Sequence, residues 1–196
     1  MMNFPLELRF KLIALNPQVF VTDAAGALIC YVRQQAFKLK EAVTVFSDAA
    51  QTVPLYTIKA DRVLDLSAQY HIADVAGAPL GTLQRRGLRS LWRAHYEIQH
   101  GGQPVFVVRE ENPWIKVVDG VLGEIPVLGL LSGYLFHPAY RVSRAAGDVP
   151  VLRAVKRPAF LEGRYTLEQT GALDDGEERL AVLSVLMMLL LERSRG

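Results

Sequence analysis

Residues 70–83, YHIADVAGAPLGTL, alternate between apolar and polar side chains, reach Asp74 and Gly77, and then become apolar again. Alternation with a period of two is typical of a strand with one buried face. Asp and Gly are turn residues, because Asp bonds its own backbone and Gly tolerates positive φ. The stretch therefore predicts a β-hairpin.

The same pattern returns along the chain with a period of about 26 residues. Turn aspartates recur at spacings of 25 and 26, and strand-starting tyrosines at 26 and then 44. The residues that mark the copies are Asp23, Asp48, Asp74, Tyr70, Tyr96, Tyr140 and Tyr165. The longer gap contains an insert, in which 114–118 and the following Asp119-Gly120 predict one more strand and turn. Repeated hairpins with repeated connectors favour a sheet that curls and closes, because closure removes exposed edges.

The segment Leu180–Leu191 is apolar throughout except for Ser184. Asp174 or Asp175 can cap its start, so we predict a helix over about 176–193. A helix without a polar face must be buried all round or lie in lipid. Its apolar length of roughly 18 Å is short of the ~30 Å bilayer core. We therefore predict that it fills the barrel; a membrane-inserted or dimer-forming tail is the alternative.

Composition is compatible with one globular domain over residues 1–196, with hairpin repeats over about 8–172. The 22 basic and 20 acidic residues give a net charge of +2, too small to indicate nucleic-acid binding by itself. The single cysteine, Cys30, lies in an apolar run and is predicted to be a buried hydrophobe. Without a signal peptide or an internal disulfide, we expect a soluble cytoplasmic protein, peripheral to a membrane if it binds lipid.

At this point the residues resemble a known family. Hairpins of the form Tyr-x-Ile-x-Asp-x-x-Gly, basic connectors and a final apolar helix are similar to the tubby C-terminal-like superfamily, from about Leu8 to Arg193. The closest likeness is to LURP-one-related and phospholipid-scramblase-like proteins, and the stretch 133–142 resembles their late hairpin. The resemblance implies a closed antiparallel barrel of about twelve strands around a central hydrophobic helix. About eleven strands are clear from the residues alone.

The chain departs from the scramblases in its lack of a cysteine-rich segment, a long apolar tail and a proline-rich arm. These departures argue against lipid scrambling. Asp61, Asp65, Asp174 and Asp175 do not have EF-hand spacing, so no calcium loop is predicted.

No catalytic constellation is present. His71, His95, His100 and His137 lack metal-ligand spacing, although His95 and His100 flank one strand and could be neighbours. The serines lie outside any nucleophile elbow, and the glycines form no phosphate loop. We therefore expect no enzyme activity, no metal and no cofactor.

The best candidate site is the connector 83–93, which carries four arginines, one tryptophan and no acid. Arginines can hold an anionic headgroup while the aromatic ring enters the membrane interface. A second basic connector supplements it, so the predicted headgroup-binding residues are Arg85, Arg86, Arg89, Trp92, Arg93, Lys156 and Arg157. Arg164, Lys38 and Lys40 are further candidates. The competing interpretation is a solvated rim of snorkelling arginines.

Three functions follow from these features. The first is a non-enzymatic module for anionic, phosphoinositide-like headgroups, as the tubby likeness implies. The second is a protein-interaction or scaffold domain with an unknown partner. The third is nucleic-acid binding, suggested by arginines beside an aromatic residue and opposed by the small net charge. A fatty ligand in the barrel is not expected if the helix occupies the lumen.

Overall fold

A computed structural model of the protein describes residues 1–11, 18–33, 42–62, 68–86, 94–111, 138–159 and 162–193. These residues form twelve strands and one helix: β1 (Leu6–Lys11), β2 (Gln18–Thr22), β3 (Leu28–Arg33), β4 (Ala42–Phe46), β5 (Pro54–Ala60), β6 (Gln69–Asp74), β7 (Pro79–Arg85), β8 (His95–His100), β9 (Gln103–Glu110), β10 (Ala139–Arg144), β11 (Pro150–Arg157), β12 (Glu162–Gln169) and α1 (Asp175–Arg193). The insert strand predicted at 114–118 lies outside the described residues.

The strands form one closed antiparallel barrel in which each strand pairs with its neighbours in sequence. The first and last strands complete the ring, with Leu8 opposite Tyr165 in the register of β1 and β12. Closure pairs the backbone groups that an open sheet would expose at its edges. The prediction of a twelve-stranded barrel is confirmed.

The repeated Asp and Gly residues lie in the turns of the hairpins. The Asp23 carboxylate accepts hydrogen bonds from the backbone N–H groups of Ala25 and Ala27 at 2.9 and 2.8 Å. Gly77 has a φ of 86°, which side chains rarely adopt, so this turn position favours glycine. These contacts give the repeated Asp and Gly a physical role in closing the hairpins.

Strand alternation sorts the side chains between the lumen and the outer wall. Tyr70 and Ile72 are buried at 7% and 0% exposure, while His71 between them is exposed. The inward set packs on α1, whose residues from Leu180 to Leu191 are all at most 3% exposed. Such burial on every side explains why the helix needs no polar face.

Asp174 caps the start of α1. Its Oδ1 accepts hydrogen bonds from the backbone N–H groups of Gly176 and Glu177, both at 2.8 Å. The predicted plug helix is thus confirmed, and it starts at Asp175. Among the described residues, no helix has both the length and the apolar character needed to cross a bilayer.

The barrel has two different ends. The hairpin end comprises the turns 22–28, 46–54, 74–79, 100–103 and 144–150 together with 169–180, which contains the start of α1. The connector end lies where α1 finishes and where the chain leaves one hairpin for the next. Arg144 of the rim pairs with Glu177 at the first end, and Tyr96 bonds Glu192 at the second.

Candidate functional site

The described members of the predicted site lie at the connector end, on two strands that are not neighbours. Arg85 ends β7 and Arg86 follows it, while Lys156 and Arg157 end β11. Strands β8, β9 and β10 separate these two positions around the ring. Arg89, Trp92 and Arg93 of the site, and the supplements Lys38 and Lys40, lie outside the described residues.

Arg86 is half exposed and already has an acidic partner. Its Nε and Nη2 donate to Oε2 of Glu97 at 3.0 and 2.5 Å, and 52% of its side chain is exposed. Desolvation acts to raise the pKa of Glu97, but hydrogen bonds from Gln99 and Arg86 outweigh it and lower that pKa. Glu97 therefore stays ionised and offsets part of the positive charge of Arg86.

Arg157 has a similar environment on the outer wall. Its Nε donates to the Thr166 hydroxyl at 3.0 Å, and its Nη2 donates to Glu168 at 3.1 Å. The side chain remains 47% exposed. The preceding Lys156 is opposite Tyr165 in the strand register, at an inward-facing position. Arg164 lies on the wall of β12, where its Nε is 3.0 Å from Glu7.

Arg85 differs from both, because its side chain is only 13% exposed. Its Nη2 is 3.7 Å from Oε1 of Glu192, and its guanidinium carbon is 5.9 Å from the centre of the Tyr96 ring. Arg85 thus belongs mainly to a polar layer inside the lumen, rather than to the outer rim.

That inward polar layer was not predicted. Tyr96, Glu110 and Tyr140 are buried at 0%, 6% and 3% exposure, and the Tyr96 hydroxyl donates to Glu192 at 2.7 Å. Burial raises the pKa of Tyr165 in the same layer to about 12 and also raises the pKa of Tyr96 and Tyr140. The alternation pattern contains the relevant signal, because these residues take inward positions near the connector ends of their strands.

Among the residues that the structure describes, the histidines and the cysteine are not grouped into a site. The interpretation of His95 and His100 as neighbours is wrong, because they occupy opposite ends of β8, roughly 17 Å apart at ~3.4 Å per residue. Burial raises the pKa of the Cys30 thiol to about 12, as expected for a side chain that is 4% exposed. Within the described ranges, no three His, Cys, Asp or Glu side chains are grouped so that they could hold a metal. His137 lies outside those ranges.

A cavity of about 280 Å³ opens at the hairpin end, between the barrel rim and the first turns of α1. Leu80, Val105, Phe106 and Leu180 contribute apolar surface to it. The polar lining comes from His100, Asp174, Gly176 and Glu177. This cavity could not be predicted from the sequence, because its lining combines two hairpins with the start of the helix.

Comparison with known proteins relates the chain to one family. A family model described as LURP-one-related matches residues 28–170. An X-ray structure of an Arabidopsis thaliana protein has a similar fold, with a TM-score of 0.52 and 13% identity, over 98% of this chain and 93% of that one. None of the curated proteins compared matches significantly. Since the family model covers most of the barrel, the chain belongs to the LURP-one-related family, within the tubby-like superfamily.

Proposed function

We propose that the protein is a non-enzymatic binding module whose connector end contacts anionic phospholipid headgroups of the phosphoinositide class. The observation that carries the proposal is the charge of this end. Its described residues include nine lysines and arginines, against the carboxylates Asp61, Glu110, Glu111, Glu162 and Glu192 and the ion-pair partners Glu97 and Glu168. The cations are Lys11, Arg33, Lys59, Arg62, Arg85, Arg86, Lys156, Arg157 and Arg193.

The internal ion pairs weaken this surface without neutralising it. Arg86 and Arg157 keep about half of their side chains exposed, so an incoming phosphate can share or displace the Glu97 and Glu168 carboxylates. Guanidinium groups suit that exchange, because their planar donors bond phosphate oxygens in pairs. Arg89, Trp92 and Arg93 complete the proposed surface by their position in the same connector.

Flotation with vesicles tests the proposal. Neutral vesicles are compared with vesicles that contain a phosphoinositide, at low and at physiological salt. The site variant combines Arg86→Gln, Arg89→Gln, Arg93→Gln and Arg157→Gln, and it keeps Arg85 because that side chain contacts the lumen. We expect binding only to the acidic vesicles, reduced by salt and lost in the variant.

A matched control removes the same charge from the barrel wall. Arg9, Arg109, Arg141 and Arg153 are between 40% and 46% exposed, and changing them to Gln should leave flotation nearly unchanged. Equal losses in both variants would indicate a response to net charge alone. Short duplex DNA and free inositol phosphate can each be added as competitors of vesicle binding. If the DNA competes as strongly as the inositol phosphate, nucleic-acid binding is favoured instead.

A further inference from the structure

The hairpin end has the opposite charge to the connector end. Its segments contain eight carboxylates and two arginines, and three further cations pair with these carboxylates: the Met1 ammonium with Asp175, and Arg109 and Arg141 with Asp148. The carboxylates are Asp23, Asp48, Asp74, Asp148, Asp174, Asp175, Glu177 and Glu178, and the arginines are Arg144 and Arg179. Several of these carboxylates cap turns by accepting hydrogen bonds from backbone N–H groups. This end therefore attracts cations.

Exposed apolar side chains are concentrated at the same end. In the part of the chain that the structure describes, every large hydrophobic residue that is exposed lies at the turns or beside the start of α1. Val75 and Val149 are 59% and 53% exposed on the two hairpins that flank the β8–β9 hairpin. Val53 is 51% exposed on the hairpin beyond Val75. These aliphatic side chains therefore lie at the same end of the barrel as the carboxylates, where they offer apolar contact area to a partner.

The 280 Å³ cavity lies at the same end of the barrel, and its polar lining comes from His100, Asp174, Gly176 and Glu177. Nδ1 of His100 is 2.7 Å from the Leu80 carbonyl, which can only accept, so Nδ1 donates this hydrogen bond. Asp174 and Glu177 contribute carboxylate oxygens, and the Gly176 N–H already donates to Asp174. The polar group of a ligand that fits here must therefore be a donor.

The Glu177 carboxylate of the cavity remains negative despite its partner. A bidentate bond from Arg144 lowers the pKa of Glu177, with Nη1 and Nη2 at 2.7 and 2.9 Å from its two oxygens. The pair leaves Oε1 with a lone pair, since a carboxylate offers about four acceptor sites. Asp174 and the adjacent Asp175 exceed the half positive charge of the helix N-terminus. A cation can thus approach Glu177 and Asp174 from the cavity.

We propose that the hairpin end docks a basic segment of a partner protein, with one lysine or arginine side chain inserted in this cavity. The methylene stem packs on Leu80, Phe106 and Leu180, while the cationic head bonds the acceptors of the rim. The volume is slightly below the ~300–1,000 Å³ of drug-sized ligand sites and suits a single long side chain. A free amine bound in the cavity would contact neither the exposed valines nor the carboxylates that lie outside the cavity. The proposal is independent of lipid binding at the connector end.

Fluorescence anisotropy with the full chain tests the proposal. The probe is a labelled peptide of alternating lysine and leucine; its counterpart has glutamate for lysine, and butylamine serves as the free amine. We expect the lysine peptide to bind in a salt-sensitive manner and the glutamate peptide not to bind. The double variant Val75→Ser, Val149→Ser should weaken binding about tenfold, because both contacts lose apolar area. His100→Ala should weaken it further.

Leu28→Ser is the matched control, since this exposed residue lies on the β2–β3 hairpin across the ring and should leave affinity unchanged. Circular dichroism checks that each variant folds. Equal binding of both peptides, equal losses for the valine and leucine variants, or no binding at low salt would overturn the proposal. Butylamine affinity equal to that of the peptide would also overturn it, since the cavity would then take a free amine.

Discussion

The hydroxyl of Tyr96 donates a 2.7 Å hydrogen bond to Oε1 of Glu192, and this contact joins the barrel wall to the last turn of α1. At the opposite end of the helix, Arg144 of the rim holds Glu177 in a bidentate pair. The apolar side chains between these points pack without directional bonds. These two polar contacts, together with the hydrogen bond from the Met2 N–H to Glu178, help to define how far the helix is inserted into the barrel.

Replacing Tyr96 by Phe should lower the free energy of unfolding by about 1.5–3 kcal/mol, the range for a hydrogen bond to a charged group. The loss is large because Tyr96 is fully buried and Glu192 is only 13% exposed. Urea unfolding at neutral pH measures it. Tyr140→Phe is the control: this buried tyrosine makes no hydrogen bond to a described residue and should cost less than about 1 kcal/mol. Equal costs would mean that the Glu192 contact contributes nothing specific.

Two glycines of the barrel wall should respond differently to alanine. A Cβ at Gly81 would lie 2.3 Å from the Gln99 carbonyl oxygen and 2.8 Å from Leu180 Cδ1. Neither the strand backbone nor the buried helix can retreat easily, so Gly81→Ala should destabilise the fold by about 1–3 kcal/mol. At Gly163 the nearest atom is Nη1 of Arg193, the end of a flexible side chain, and Gly163→Ala should cost much less. Thermal unfolding measures the loss of stability in both variants. A larger loss in Gly163→Ala than in Gly81→Ala would contradict the prediction.

The hairpins could be predicted from the sequence because each turn signal lies beside the strands that it joins. Strand β1 could not be predicted with equal clarity. Its partner β12 is at the other end of the chain, so Leu8 and Tyr165 pair without any local turn between them. Closure of the ring thus depends on long-range register, which a repeat period does not contain.

The candidate site, too, could be predicted only in part from the sequence, because it depends on long-range contacts. A cluster of arginines in one connector predicts an exposed basic surface, but Glu97 on β8 is opposite Gln84 and within reach of Arg86. The Glu192 contact that turns Arg85 inwards depends on the depth of α1 in the barrel. Both acidic partners come from other elements, so only the assembled barrel shows how much positive charge remains.

The pair of Arg144 and Glu177 should make stability depend on pH in the acidic range. The hydrogen bond from Arg144 lowers the pKa of Glu177 in the folded protein below its ordinary value of 4.5. The unfolded chain therefore binds more protons in this window, so stability rises with pH. The contribution is complete above the unfolded value and is lost as the pH falls through the folded one. Because both side chains are partly exposed, we expect about 0.5–1 kcal/mol.

Unfolding in urea at pH 7 and pH 3 compares the wild-type protein with Glu177→Gln. The variant should be less stable at pH 7, and the difference should shrink at pH 3, because Glu177 of the unfolded wild-type chain is then largely protonated while the folded carboxylate resists protonation. Glu168→Gln is the control, because its bond to Arg157 is an exposed surface pair and should matter less at pH 7. A difference that persisted at pH 3 would show that Glu177 acts through packing instead.

Ser184 interrupts the apolar run of α1 at a fully buried position, and its hydroxyl oxygen has no hydrogen-bond partner among the described residues. A buried hydroxyl without a partner costs free energy, and alanine is the better helix former. Ser184→Ala should therefore raise the free energy of unfolding by about 1 kcal/mol. Leu186→Ala, nearby on the same helix, should lower it by about 2–5 kcal/mol, because it leaves a cavity. Urea unfolding measures the change in the free energy of unfolding for both variants, and the two changes should have opposite signs. If Ser184→Ala were destabilising, the hydroxyl would have to make a stabilising contact inside the barrel, and the helix would not be held by apolar packing alone between its two ends.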